Sequence, residues 1–216
     1  MLLAAGKGER LRPLTESVPK ALVDVAGRSL IERHLDRLPK GSTVVINLGW
    51  LGLQIAERVG SGEKYGHTVV YSDEGENILE TGGGIQRALP FLGDRPFLIV
   101  NADVLTDMLL PPDDVDLGDA QVHLVLVPKP EFRSEADFGL KDGRVTNDDR
   151  RYTYSGVAIY NPRFFAACKP GRFSVVPLLR EAAEQGLVSG SLYTGYWSDV
   201  GTPERLEQAN AREARA

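Results

Sequence analysis

Four short apolar runs rich in β-branched residues are spaced along the first 127 positions: "TVVINL" (43–48), "TVVYS" (68–72), "FLIVN" (97–101) and "QVHLVLV" (121–127). They are continuously apolar rather than alternating, so they read as strands mostly buried on both faces. Between them stand segments with apolar residues at helical spacing: "SLIERHLDRL", with Leu30, Ile31, Leu35 and Leu38 on one face, then "LGLQIAERV" and "GIQRALPFL". Strands that alternate with helices build βαβ units and a mostly parallel sheet flanked by helices. An α/β fold is therefore expected.

Beyond about residue 128 the texture changes. "DFGLKDGRVT" predicts a hairpin around Asp142-Gly143, "YTYSGVAIY" a strand, and "SVVPLLREAAEQG" a helix. "PERLEQANAREARA" predicts a closing helix with Thr202 as N-cap and Pro203 at its first position. A single domain is expected over residues 1–216, its 1–127 half carrying the parallel sheet and its 128–216 half adding antiparallel strands and a smaller lid-like lobe. The hexapeptide period of a left-handed β-helix is absent. The acidic, Pro-rich "LPPDDVDLGDA" reads as a solvated connection.

Composition removes several function classes. A hydrophobic share of 42% and a charged share of 25% are ordinary for a globular chain. No apolar run has the length of a bilayer span and no secretory leader pattern precedes the fold, so a cytoplasmic protein without a membrane partner is expected. The single cysteine, Cys168, forms no disulfide framework and no thiolate cluster. A net charge of -5 argues against a general nucleic-acid surface. "MLLAAG" leaves a first strand shorter than the usual length of about 5 or 6 residues, so upstream residues are expected to be missing.

Cations are concentrated instead at one place. In "LLAAGKGERLRPLT" (2–15) two apolar residues run into small residues and charges, and Lys7, Arg10, Arg12 and Lys20 lie close together in sequence. A dinucleotide fingerprint would need a third glycine where Leu11 stands, and a P-loop would need Gly-Lys-Ser/Thr at a spacing the segment lacks. What remains is a strand, a small-residue turn that lets backbone N–H groups approach an anion or a flat base, and cations within reach. Spacing alone favours a triphosphate and leaves open a tight turn with solvated charges.

"LAAGKGERLRPLTESVPKALVDVAG" resembles the signature of sugar-1-phosphate nucleotidyltransferases, and the likeness continues in order through "LETGGGI", "LIVNADVLTD", "YSGVAIY" and "YWSDVGTPERL". The resemblance implies a Rossmann-like, GT-A-like nucleotidyltransferase fold and transfer of a nucleotidyl group from a nucleoside triphosphate to a sugar 1-phosphate. "WLGLQI", "ETGGG" and "NADVLTD" most resemble a uridylyltransferase branch that serves cell-wall recycling, which implies UTP as donor and N-acetylmuramic acid 1-phosphate as acceptor. By the same resemblance Leu3, Ala4, Ala5 and Gly6 line base and ribose, Gly8 lies beside the phosphates, and Arg10 and Lys20 contact the triphosphate. Glu74 or Glu76 reads the base edge, by a chemistry that suits uracil or guanine. Glu80, Thr81 and the run Gly82–Gly84, Gly83 included, close over nucleotide and sugar; three glycines also suit a flexible turn before a helix.

Two remote acids complete the expected site. Asp103 follows "FLIVN" at the carboxyl end of a strand, where open α/β sheets place ligands, and Asp199 sits in "YWSDVGT". Taken singly each suits a cap or a turn; with the resemblance they are expected to hold Mg2+ together with waters and phosphate oxygens. Asp107 reads as a cap or surface acid. Asp137, Phe138, Tyr154, Ser155 and Gly156 are expected to face the sugar, with Phe138 and Tyr154 equally suited to packing under a hairpin. His34, His67 and His123 lack metal-like spacing and read as structural, and Trp50 as core or interface. A monomer or small homo-oligomer is expected. Two alternatives stay open: a mannose- or heptose-1-phosphate guanylyltransferase, and a non-catalytic nucleotide-sensing subunit that retains the fold.

Overall fold

A computed structural model describes residues 1–75, 77–111 and 115–215. In chain order the elements are β1 (Leu2–Leu3), β2 (Asp24–Val25), β3 (Arg28–Ser29), α1 (Leu30–Arg37), β4 (Thr43–Leu48), α2 (Gly52–Val59) and β5 (Thr68–Asp73). They continue as α3 (Glu80–Leu92), β6 (Phe97–Asn101), β7 (Val104–Thr106), β8 (Val122–Pro128), β9 (Gly139–Lys141), β10 (Arg144–Thr146) and β11 (Tyr152–Tyr160). Last come α4 (Val176–Glu184), β12 (Val188–Leu192), β13 (Trp197–Asp199) and α5 (Pro203–Glu213).

Among the described residues nine strands form one sheet in the order β5-β4-β1-β6-β11-β8-β12-β10-β9. The βαβ alternation yields the expected parallel block β5-β4-β1-β6. β11 then enters antiparallel to both β6 and β8, while β12 runs parallel to β8. The second half therefore extends the same sheet, because β11 pairs directly onto β6. Asp142 and Gly143 both have positive φ, 50° and 75°, and close the predicted hairpin between β9 and β10. A two-residue turn of that twist matches the strands that flank it.

Each central strand faces two cores, which is why its sequence is continuously apolar. Val45 and Ile99 point into one core with Ile85 of α3 and Leu179 of α4. Ile46 and Val100 point into the other with Ile31 and Leu35 of α1 and Ile55 of α2. A third cluster of Leu11, Val23, Leu30, Leu105 and Val200 fastens the pair β7–β13 and α5 to the main body. Thr202 caps α5 as expected, its side chain accepting from the Arg205 N–H. One boundary differs from the sequence reading: α3 begins at Glu80 and takes Gly82–Gly84 into its first turns.

The histidines are structural as expected: His34 is buried, His67 bonds the Leu35 carbonyl at 2.7 Å, and His123 lies 3.0 Å from the hydroxyls of both Ser189 and Ser191. Trp50 is partly exposed and its indole N–H donates to Thr15 O at 2.8 Å. Asp107 is an exposed surface acid, one of the two expected readings, and accepts from the Tyr193 hydroxyl, Tyr196 N–H and Arg212. No helix among the described residues is long and apolar enough to cross a membrane.

Glu32 is the buried acid that locks α1 in place. Its carboxylate accepts from Ser29 Oγ at 2.6 Å, Tyr65 Oη at 2.8 Å and Arg58 Nη2 at 3.2 Å. Burial pushes the carboxyl up, and these donors outweigh that push and hold it at about 2. Because the folded-state value lies below the ordinary one, the stabilisation is complete above the ordinary carboxylate range and is lost as pH falls toward the folded value. Glu32→Gln should cost roughly 2 kcal/mol at pH 7 in urea unfolding, with the gap to wild type closing between about pH 5 and pH 2. An equal gap at both ends of that range would refute the ionic account.

Candidate active site

The parallel block delivers its strand ends to one edge, and a cavity of about 220 Å³ opens there. Leu3, Ala4, Ala5, Gly6, Lys20, Glu74, Glu80, Thr81 and Asp103 line it, so the structure gathers most of the expected nucleotide-binding residues. β1 is held between β4 and β6, with Leu2 opposite both Ile46 and Val100. The turn that follows must therefore emerge at the carboxyl edge. A Cβ built on Gly6 would meet nothing within 4 Å, so the backbone there lies open to a ligand. The turn is pinned behind the opening: Leu11 is buried, its N–H donates to Gly8 O at 2.9 Å, and Thr15 Oγ1 donates to the same carbonyl at 2.8 Å.

Asn47 is the principal residue that sequence reasoning missed. From the end of β4 its Oδ1 accepts the Ala4 N–H at 2.7 Å, and its Nδ2 donates to Glu74 Oε1 at 2.7 Å. Glu74 Oε2 in turn accepts the Leu79 N–H at 2.7 Å, just before α3. One buried amide and one buried carboxylate thus tie β1, β4 and α3 around the cavity. Burial pushes the Glu74 carboxyl up, against these two donors. Glu76, the alternative base reader, lies outside the described residues. The missed signal was the polar Asn47 inside an otherwise apolar strand.

The charged groups form two pairs. Lys20 donates to Asp103 Oδ2, with 14% and 27% of their side chains exposed. Asp199 accepts from Arg205 through Oδ1 and lies 4.0 Å from Arg10 through Oδ2. Arg10 keeps 64% of its side chain exposed. β7 and β13 bring the acids' backbones together: Asp199 is registered against Val104, and Val200 N–H donates to Asp103 O at 2.8 Å. Asp103 stands just before β7 and Asp199 at the end of β13; Asp103 lines the cavity, whereas Asp199 and Arg10 do not. Among the described residues no group of three or more His, Cys, Asp or Glu could hold a metal, so a cation here would need substrate oxygens.

Other expected residues have different surroundings. Gly83 does not line the cavity: its N–H donates to Phe173 O at 3.1 Å, and a Cβ there would lie 2.1 Å from Gly171 O. A Cβ on Gly84 would lie 2.5 Å from Glu74 Oε1. These glycines are not a flexible turn: they stand inside α3 and let the 171–173 segment and Glu74 press against it. Gly8 is likewise outside the lining, in the left-handed region against Thr15 and Lys20. Asp137 is engaged by Arg133 at 3.0 Å and by Tyr154 N–H at 2.9 Å. Ser155 Oγ donates to Val125 O at 2.6 Å and accepts from Val157 N–H, which shapes the bulge in β11. Phe138 and the Tyr154 hydroxyl are buried, the latter beside Tyr160, in line with the packing alternative. Gly156, in the same bulge, leaves room for Asn101, which lines the cavity.

A glycine-bearing turn after the first parallel strand, with lysine, arginine and paired aspartates around it, defines a nucleotide-binding α/β enzyme. The chain belongs to the nucleotidyl transferase family, whose family model matches residues 1–140. It is 44% identical to the N-acetylmuramate alpha-1-phosphate uridylyltransferase of Neisseria meningitidis serogroup B, over 98% of this chain and 96% of that protein. It is 37% identical to the Caulobacter vibrioides protein of the same name, over 100% of this chain and 97% of the other. In fold it is similar to HddC from Yersinia pseudotuberculosis, solved with GMP-PN, at a TM-score of 0.75 and 20% identity, over 98% of this chain and 97% of that one. The family transfers nucleotidyl groups to sugar 1-phosphates and generally uses a divalent metal.

Asn47→Leu keeps the volume and removes both hydrogen bonds, leaving the Ala4 N–H and the Glu74 carboxylate without their partner. It should lower stability by roughly 2 kcal/mol and weaken nucleoside triphosphate binding about tenfold, measured by urea unfolding and by equilibrium titration of the nucleotide. Unchanged nucleotide affinity would deny Asn47 its bracing role.

Proposed function

We propose that this enzyme transfers a uridylyl group from UTP to N-acetylmuramate α-1-phosphate, releasing pyrophosphate. The observation that carries this reading is the 44% and 37% identity, nearly end to end, to two uridylyltransferases named for that acceptor. The pocket chemistry supports it. Ala4, Ala5, Gly6, Glu74, Glu80 and Thr81 line one cavity; in this reading the first three offer backbone to base and ribose, Glu74 meets the base, and Glu80 and Thr81 meet the acceptor.

In the proposed reaction a phosphate oxygen of the sugar phosphate attacks the α-phosphorus of UTP. The bond from that phosphorus to the bridging oxygen breaks, and pyrophosphate leaves with the electron pair. The nucleophile is already an anion, so no base need remove a proton. The obstacles are repulsion between two anions and charge on the leaving group, which positioned cations and fixed donors relieve. Lys20 supplies a mobile point charge at the α-phosphate, and Arg10 a planar fork for the outgoing phosphates. Asp103 and Asp199 would hold a divalent cation, Mg2+ by the chemistry of their oxygens, and that ion supplies charge neutralisation at the phosphates.

Purified protein with Mg2+, UTP and N-acetylmuramate α-1-phosphate should release pyrophosphate, and UTP should outperform GTP, CTP and dTTP. Preference for GTP with a mannose or heptose phosphate would overturn the uridylyl assignment. Asp103→Ala should lower kcat by at least ~100-fold, the scale of removing one preorganised electrostatic element. Turnover near wild type in a folded Asp103→Ala protein would remove Asp103 from the reaction.

A further inference from the structure

Arg205 stands in a position that helix energetics disfavour. With Thr202 as N-cap it is the third residue of α5, where the helix end carries partial positive charge and a cation is unfavourable. Its side chain is only 8% exposed, and a buried guanidinium is costly unless paired. The pairing it makes is with Asp199: Nη1 donates to Oδ1. The Phe132 ring covers the guanidinium, with its centroid 4.2 Å from Cζ. Gly201 leaves the space, since a Cβ there would lie 2.7 Å from Arg205 Nη2 and 3.0 Å from Arg10 Nη2.

The two oxygens of Asp199 are therefore not equivalent. Oδ1 is taken by a buried, fixed cation, whereas Oδ2 faces the exposed Arg10 at 4.0 Å. We propose that Arg205 is a positioning residue for the transfer reaction: it anchors Asp199 through Oδ1 so that Oδ2 alone is presented to the divalent cation. Without that anchor the carboxylate rotates between both oxygens and must be ordered at each binding event. The competing account is that Arg205 merely braces α5 against β13. The proposal rests on reading Asp199 as a metal ligand, and its test is independent of the acceptor sugar.

The deciding measurement is Mn2+ binding to the UTP-saturated enzyme without acceptor, read from the electron paramagnetic resonance signal of free Mn2+. Arg205→Met keeps the apolar stem and removes the donors, while Arg205→Lys keeps the charge. Mn2+ affinity should fall about tenfold or more in Arg205→Met and recover in part in Arg205→Lys. The KM for UTP should stay within about threefold of wild type. An affinity that is unchanged, or tighter because a competing cation has gone, would overturn the proposal even if turnover falls. Should Arg205→Met fail to fold, Arg205→Lys decides: weaker Mn2+ binding at an unchanged melting temperature supports the role, and unchanged binding refutes it. If Asp199→Asn also binds Mn2+ like wild type, the metal reading itself is withdrawn and the proposal with it, whereas the uridylyl assignment stands or falls on the pyrophosphate assay.

Discussion

The grip on β1 governs the rest of this molecule. A strand of two residues is too short to hold itself, yet it lies between β4 and β6 with Leu2 buried and paired on both sides. Its continuation is fixed by the Ala4 N–H on Asn47 and by the Ala102 N–H on Leu3 O at 3.0 Å. Because both neighbours run parallel to it, the turn from Ala4 to Gly8 can leave only at the carboxyl edge. Every other part of the site is arranged around that exit: Glu74 through Asn47, α3 through Glu74, and the Asp103 turn through β6.

Charge is handled there by reciprocal pairing. Partly buried Lys20 and Asp103 satisfy one another, as do buried Arg205 and Asp199, so neither pair is left with an uncompensated ion in a poorly solvated place. Under the proposed reaction the Lys20–Asp103 partnership is exchanged, while Arg205 keeps Asp199 Oδ1. Polyphosphate takes up the lysine, and a divalent cation takes up the carboxylate oxygens left open. In that reading anion and cation favour each other's binding, since each relieves the group that the other displaces. In the same reading the exposed side chain of Arg10 suits a first electrostatic contact with an incoming triphosphate.

Glycine has an unexpected use beside the pocket. A run of three there also suits a flexible turn, but it stands inside the first turns of α3. Gly82 and Gly83 receive the backbone and ring of residues 171–173, and Gly84 receives Glu74. The demand for small size comes from partners far away in sequence, and local spacing cannot reveal it. The same holds for Ser155, whose hydroxyl is spent on shaping a bulge, and for Arg205, whose guanidinium is buried against Asp199.

Sequence alone determined the α/β class, the parallel block, the hairpin at Asp142-Gly143 and the capped final helix, because periodicity, turn residues and caps act over a few neighbours. The family resemblance implied that the small-residue turn, Lys20 and Asp103 share one pocket; of these, Asp103 was also legible from the end of the apolar strand before it. Tertiary structure decided the rest: that β11 enters between β6 and β8, that Asn47 braces the turn, that the glycines serve packing, and that Asp199 answers to Arg205. Those outcomes depend on which distant segments meet and how buried polar groups find partners, a balance set by the whole fold.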